Sequence, residues 1–139
     1  MSPKEFLAPG YQLAYSLLAD EGSFLPFGAA AGPDGKPTCI MPEDGSAGTV
    51  RDELREGCSS GRFAVIALFC EVQVRDNPRA APQRAVAVYL DTVSGPSRLI
   101  LTPLVIAGGQ VRCGQPTIQD SPEPLLPAEQ VAAPGRPRD

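Results

Sequence analysis

The longest apolar run in the chain covers residues 62–74, R-F-A-V-I-A-L-F-C-E-V-Q-V, and contains neither Gly nor Pro. By alternation Ala64, Ile66, Leu68, Cys70, Val72 and Val74 fall on one side. Phe63, Val65, Ala67 and Phe69 fall on the other, which turns polar at Glu71 and Gln73. β-branched and aromatic residues favour strands, and a strand apolar on both sides belongs in the middle of a sheet with cover on both faces. Upstream, Tyr11, Ala14, Tyr15, Leu17 and Leu18 recur at helical spacing. They predict a helix over 9–21, with Pro9 in its first turn and Gly22 as its stop, and a loose lead-in over 1–8.

Residues 23–41 read as a β-hairpin, with arms 24–31 and 36–41 joined by Gly32-Pro-Asp-Gly35. Pro presets φ, Asp tolerates the turn and Gly accepts positive φ. Val50, Leu54 and Cys58 at spacing four predict a second helix, capped by Thr49 and ended by Gly61. Alternating segments over 83–93, 98–106 and 110–118 then continue the strand at 62–74 as an antiparallel meander. From residue 119 the chain turns Pro-rich, which predicts a mostly disordered tail over 119–139 outside a single domain 1–118. Its two P-x-x-P matches, Pro124 to Pro127 and Pro134 to Pro137, are explained by Pro-rich coil alone. The expected fold is α+β, in the order α-β-β-α-β-β-β-β. An antiparallel sheet of five or six strands would have one face covered by two helices.

Composition narrows the chemistry. A chain of 139 residues, 42% hydrophobic, buries a core without disulfides or metal. A net charge of −4, with arginines scattered rather than striped, argues against nucleic-acid binding. The absence of histidine removes the usual general base and the commonest metal ligand. Cys39, Cys58, Cys70 and Cys113 form no C-x-x-C pair, so no zinc or redox motif is present, and no cofactor is expected. There is no membrane-length apolar run and no apolar signal core after Met1, which points to a cytoplasmic protein with free thiols. Cys58 belongs to its helix stripe and Cys70 reads as a small core residue. Gly45-x-x-Gly48 and Gly108-Gly109 lack the strand, helix and Lys that a phosphate loop needs.

Two candidate sites remain. Glu71 and Asp91 lie on neighbouring predicted strands and could divide acid and base roles, although each also suits a strand end meeting solvent. Phe24, Pro26 and Phe27, with Tyr15, could line an apolar pocket beneath the first helix, or simply fill the core there. Phe63 and Phe69 would mark a sheet face open to a partner.

The segment Gly22-Ser-Phe-Leu-Pro-Phe-Gly28 resembles the Gly-x-Phe-Tyr-Pro-Phe-Gly/Ala segment of a set of small uncharacterised bacterial proteins. Asp34-Gly35 matches the turn that follows in those proteins, while Thr102-Pro103-Leu104 departs from their Pro-Tyr pair. That resemblance implies a layout and no activity. The element order is also similar to that of profilin-like and roadblock-type domains, which implies an interaction, dimerisation or ligand-sensing role. The function expected is therefore a non-catalytic binding or interaction module that forms a homodimer through its sheet. The alternative is a small histidine-free enzyme or ligand-binding domain with an apolar pocket between the first helix and the sheet.

Overall fold

A computed structural model describes residues 3–121 except 76, 80, 94, 96, 108 and 109. Two helices and seven strands follow in the order α1 (Pro3–Glu21), β1 (Phe27–Ala31), β2 (Pro37–Ile40), α2 (Ala47–Ser59), β3 (Val65–Val74), β4 (Gln83–Thr92), β5 (Arg98–Ala107), β6 (Gln110–Cys113) and β7 (Thr117–Asp120). All pairings are antiparallel and the strand order is β2-β1-β3-β4-β5-β6, with β7 also on β5. The α+β class and element order expected from the sequence hold, with seven strands in place of the five or six expected.

β3 takes the middle of the sheet. It pairs with β1 from Phe27↔Phe69 to Ala31↔Val65 and with β4 along its whole length, from Val65↔Thr92 to Val74↔Gln83. The predicted turn between β1 and β2 forms as read. Gly35 has φ of 77°, its N–H donates to Gly32 O at 2.9 Å, and Asp34 Oδ1 accepts from Lys36 N at 3.1 Å.

The helices lie on opposite faces of the sheet rather than on one. Phe6, Leu7, Ala14 and Leu18 of α1 pack with Phe27, Ala29, Ala67, Phe69, Val86, Val88 and Ile100. Val50 and Leu54 of α2 pack with Ala30, Ile66 and Leu68 on the other side. Parity decides this, because Ile66 and Leu68 point away from Ala67 and Phe69. Both sides of β3 are apolar because each receives a helix.

Several boundaries differ from expectation. α1 begins at Pro3, so the predicted lead-in is helical as far as it is described, and Pro9 sits inside the helix rather than at its start. The stripe Phe6, Leu7, Gly10, Ala14, Leu18 runs through the proline, and burying Phe6 and Leu7 outweighs its missing N–H. Ser46, not Thr49, caps α2, its Oγ accepting from Gly48 N at 3.1 Å, while Thr49 Oγ1 donates to Asp44 Oδ2 at 2.9 Å. The last predicted strand is split at Gly114–Pro116 into β6 and β7, which share the outer edge of β5. Gln119 and Asp120, read as tail, belong to β7, and residues 122–139 lie outside the described part.

Candidate functional site

The predicted aromatic cluster assembles on the α1 side. Phe27 and Phe69, directly opposed in register, stack at 5.0 Å and 6°. Phe24 leans on Phe27 at 5.6 Å, Tyr11 meets Phe69 edge-on at 5.4 Å, and Tyr15 stacks on Tyr11 at 5.8 Å. Gly10 makes room for this arrangement: a Cβ there would lie 2.3 Å from Phe69 Cζ. Phe24, Phe27 and Phe69 are buried, and Pro26 and Tyr15 are half-buried. These rings fill the space that Tyr15, Phe24 and Phe27 were expected to line.

Phe63 and Phe69 do not share a face. β3 starts only at Val65, so the alternation does not carry back through the bend at 61–64. Phe63 instead packs with the α2 cluster, over the gap left by Gly57, with the Arg62 guanidinium 5.1 Å from its ring centre.

An apolar groove of about 350 Å³ opens beside the cluster, between α1 and the β1–β2 hairpin. Phe6, Pro9, Gly10 and Leu13 form one wall and Phe27 and Ala29 the floor. The far wall is Pro37, Thr38 and Cys39 of β2. Its volume lies at the small end of ligand sites, and among the described residues no carboxylate or Lys lines it. Sequence reasoning placed a pocket under α1 but missed the wall that Phe6 begins. The signal was Phe6-Leu7, which extends the helix stripe toward the N-terminus.

The two carboxylates do not meet. Glu71 stands opposite Val86 on the α1 side, whereas Asp91 stands opposite Ile66 on the α2 side. Glu71 Oε2 accepts from Arg84 Nε at 2.6 Å, and Arg84 also donates to Gly22 O. That arginine ties the end of α1 to the sheet, and its hydrogen bond to Glu71 raises its pKa further. Asp91 is fully buried, close enough to Cys58 for its charge to act on the thiol.

Cys39, Cys58 and Cys70 are held as thiols rather than activated. Burial pushes Cys58 up to about 11, helped by Asp91, and pushes Cys70 up to about 11 against the opposing charge of Arg51. Desolvation raises Cys39 as well. A nucleophilic cysteine needs the opposite shift. Burial likewise raises Tyr11, opposed by a hydrogen bond with Thr102, and raises Tyr15, reinforced by Cys113. Among the described residues no group of three His, Cys, Asp or Glu could hold a metal ion, and no helix is long and apolar enough to cross a membrane.

One further surface lies on the α2 side. α2 packs chiefly over β1 and β3, beside Ile66 and Leu68. Beyond it the same face continues through Cys70, Val72 and Val74 of β3, Ala85, Ala87 and Tyr89 of β4, and Leu99, Leu101, Pro103 and Val105 of β5. No helix among the described residues packs over this half. Val105 is 56% exposed, Val72, Leu101 and Pro103 are half-buried, and Ala85, Ala87 and Leu99 are buried. Arg51 and Arg112 lie at its margins, Arg51 beside Cys70 and Arg112 opposite Val105.

No protein-family model, curated protein or solved structure matches the chain.

Proposed function

We propose that this chain is a non-catalytic interaction module that pairs with a second copy through the α2-side face of its sheet. The observation that carries the reading is the set of accessible apolar residues Val72, Leu101, Pro103 and Val105 on that half-face, with no described helix over it. Contiguous apolar surface of this kind marks interaction sites. The separated carboxylates and the raised thiols support a binding role over a catalytic one. A cytoplasmic setting suits the four free cysteines.

Sedimentation equilibrium of the wild type and of Val105→Glu tests this. Val105 is exposed, so the variant keeps the fold. The wild type associates as its concentration rises through the micromolar range, and the variant weakens association by about tenfold, or ~1.4 kcal/mol. A wild type that stays monomeric throughout, or a variant that associates equally well, rules the reading out.

The α1–β2 groove supports a second reading, a site for a small apolar ligand. An uncharged environmental dye that brightens on binding the wild type, and loses that signal with Leu13→Asp, supports it. A dye response unchanged by Leu13→Asp counts against it.

A further inference from the structure

We propose that residues 3–8 form a hinged lid on the α1–β2 groove, closing it through Phe6 and swinging about Ala8-Pro9 to admit a larger uncharged apolar ligand. The inference rests on the reading of that groove as a site for a small apolar ligand, and it adds how the site opens and what it takes.

The hinge lies in the covalent chemistry of α1. Pro9 sits inside the helix, where it supplies no N–H to the ladder and disfavours the α conformation of Ala8 before it. Proline is the residue at which helices most readily bend. Gly10, seated against the Phe69 ring, begins the part that stays in place.

The two parts of α1 are anchored unequally. Beyond the hinge Ala14 and Leu18 are fully buried, and Tyr11 stands edge-on to Phe69 and hydrogen-bonds with Thr102. Arg84 donates to Gly22 O just past the helix end. Before the hinge Phe6 and Leu7 are the buried residues, whereas Pro3, Lys4, Glu5 and Ala8 are exposed. Two side chains hold the lid down, and the proline works against them. Local opening starts from lightly anchored segments of this kind.

The groove wall spans the hinge. Phe6 belongs to the lid and Leu13 to the fixed part, with Pro9 and Gly10 between them. Swinging residues 3–8 away takes the Phe6 ring from beside Phe27 and Ala29, and enlarges a closed volume of about 350 Å³ toward the middle of the range for ligand sites. The space vacated is that of a phenyl ring, its floor is another ring, and among the described residues its lining carries no charge. The guest that fits is an uncharged aromatic or comparably apolar molecule.

Amide hydrogen exchange and dye binding, read on the same full-length variants, test this. The dyes are prodan, which is small, and Nile red, which is larger; both are uncharged and brighten in apolar surroundings. The amides of residues 6–8 should exchange at least about tenfold faster than those of 13–18. Pro9→Ala restores the missing N–H and should slow residues 6–8 by at least about tenfold. Leu7→Ala loosens the lid from outside the groove lining and should speed them by at least about tenfold. Apparent affinity scales with the open fraction. Nile red binding should therefore weaken with Pro9→Ala and tighten with Leu7→Ala, each by the factor seen in exchange.

Exchange at 6–8 or Nile red affinity that keeps its wild-type value in both variants overturns the lid. So does a change in one without the matching change in the other. If prodan then still binds the wild type and loses its signal with Leu13→Asp, the groove remains a site without a lid. If neither dye brightens with any variant, the groove takes no ligand and the lid falls with it.

Discussion

Gly10→Ala tests the packing of α1 on the sheet. In an ordinary helix this change stabilises, because Gly costs about 1 kcal/mol relative to Ala. Here the added methyl would lie 2.3 Å from Phe69 Cζ, 2.6 Å from Cε1 and 2.9 Å from Cε2. The ring has little room to yield. It is fully buried, stacked on Phe27 at 5.0 Å and met edge-on by Tyr11 at 5.4 Å. Overpacking a filled core costs about 1–3 kcal/mol, and a contact this close belongs at or above the upper end. Subtracting the propensity gain leaves a net loss of about 2 kcal/mol. With m near 1.5–2 kcal/mol/M, the urea midpoint should fall by about 1 M at unchanged m. Ala19→Gly, at an exposed position of the same helix, measures the propensity alone and should cost about 1 kcal/mol. Adding Phe69→Leu to Gly10→Ala should recover part of the loss as a favourable coupling. A Gly10→Ala protein as stable as wild type, or more stable, refutes the argument that this glycine exists to seat the ring.

Further outcomes follow from the same geometry. Gly57→Ala puts its Cβ 2.0 Å from Phe63 Cδ2, but Phe63 is half-buried beneath Arg62 and can swing outward. Urea titration should therefore show a smaller loss than for Gly10→Ala. Arg84→Met removes the tie to Glu71 and Gly22. With side chains 35% and 19% exposed, the loss should be about 1 kcal/mol and should shrink in high salt. Cys58 and Cys70 rise from 9.0 to about 11, so the folded state holds their protons more tightly than the unfolded chain. That stability is fully present below pH 9 and is lost as pH climbs to 11, with Tyr11 and Tyr15 adding to the loss above pH 10. The urea midpoint should fall across that window, and Cys58→Ala/Cys70→Ala should flatten the fall.

Periodicity made the central strand, the hairpin turn, the meander and the stop at Gly22 legible, because each depends on neighbours in sequence. Which face each helix takes was less legible, since it turns on Val50 and Leu54 meeting Ile66 and Leu68 rather than Ala67 and Phe69. The carboxylates show the same limit. Glu71 and Asp91 are both odd-numbered, but β3 pairs with β4 so that 66 meets 91 and 71 meets 86. Odd positions on one strand therefore share a face with even positions on the next. That register comes from the length of the 75–82 connection, which no local pattern reports. Phe63 misled for a related reason, because the bend at 61–64 resets the alternation before β3 begins. Gly10 and Gly57 carried no visible purpose in the sequence, and their meaning comes from the phenyl rings set against them.

The split of the last strand bears on how this protein avoids becoming a fibre. A sheet of this width ends in two rims, and a long flat rim is a template on which further strands accumulate. One rim here is β2, four residues long and opening on Pro37, which has no N–H to offer. The other is broken at Gly114–Pro116, where the chain steps off β5 between β6 and β7, with Gly114 N donating to Pro103 O at 2.8 Å. Neither rim presents an uninterrupted ladder. Edge-to-edge addition of a further strand is therefore disfavoured at both described rims, which protects the sheet from growing sideways.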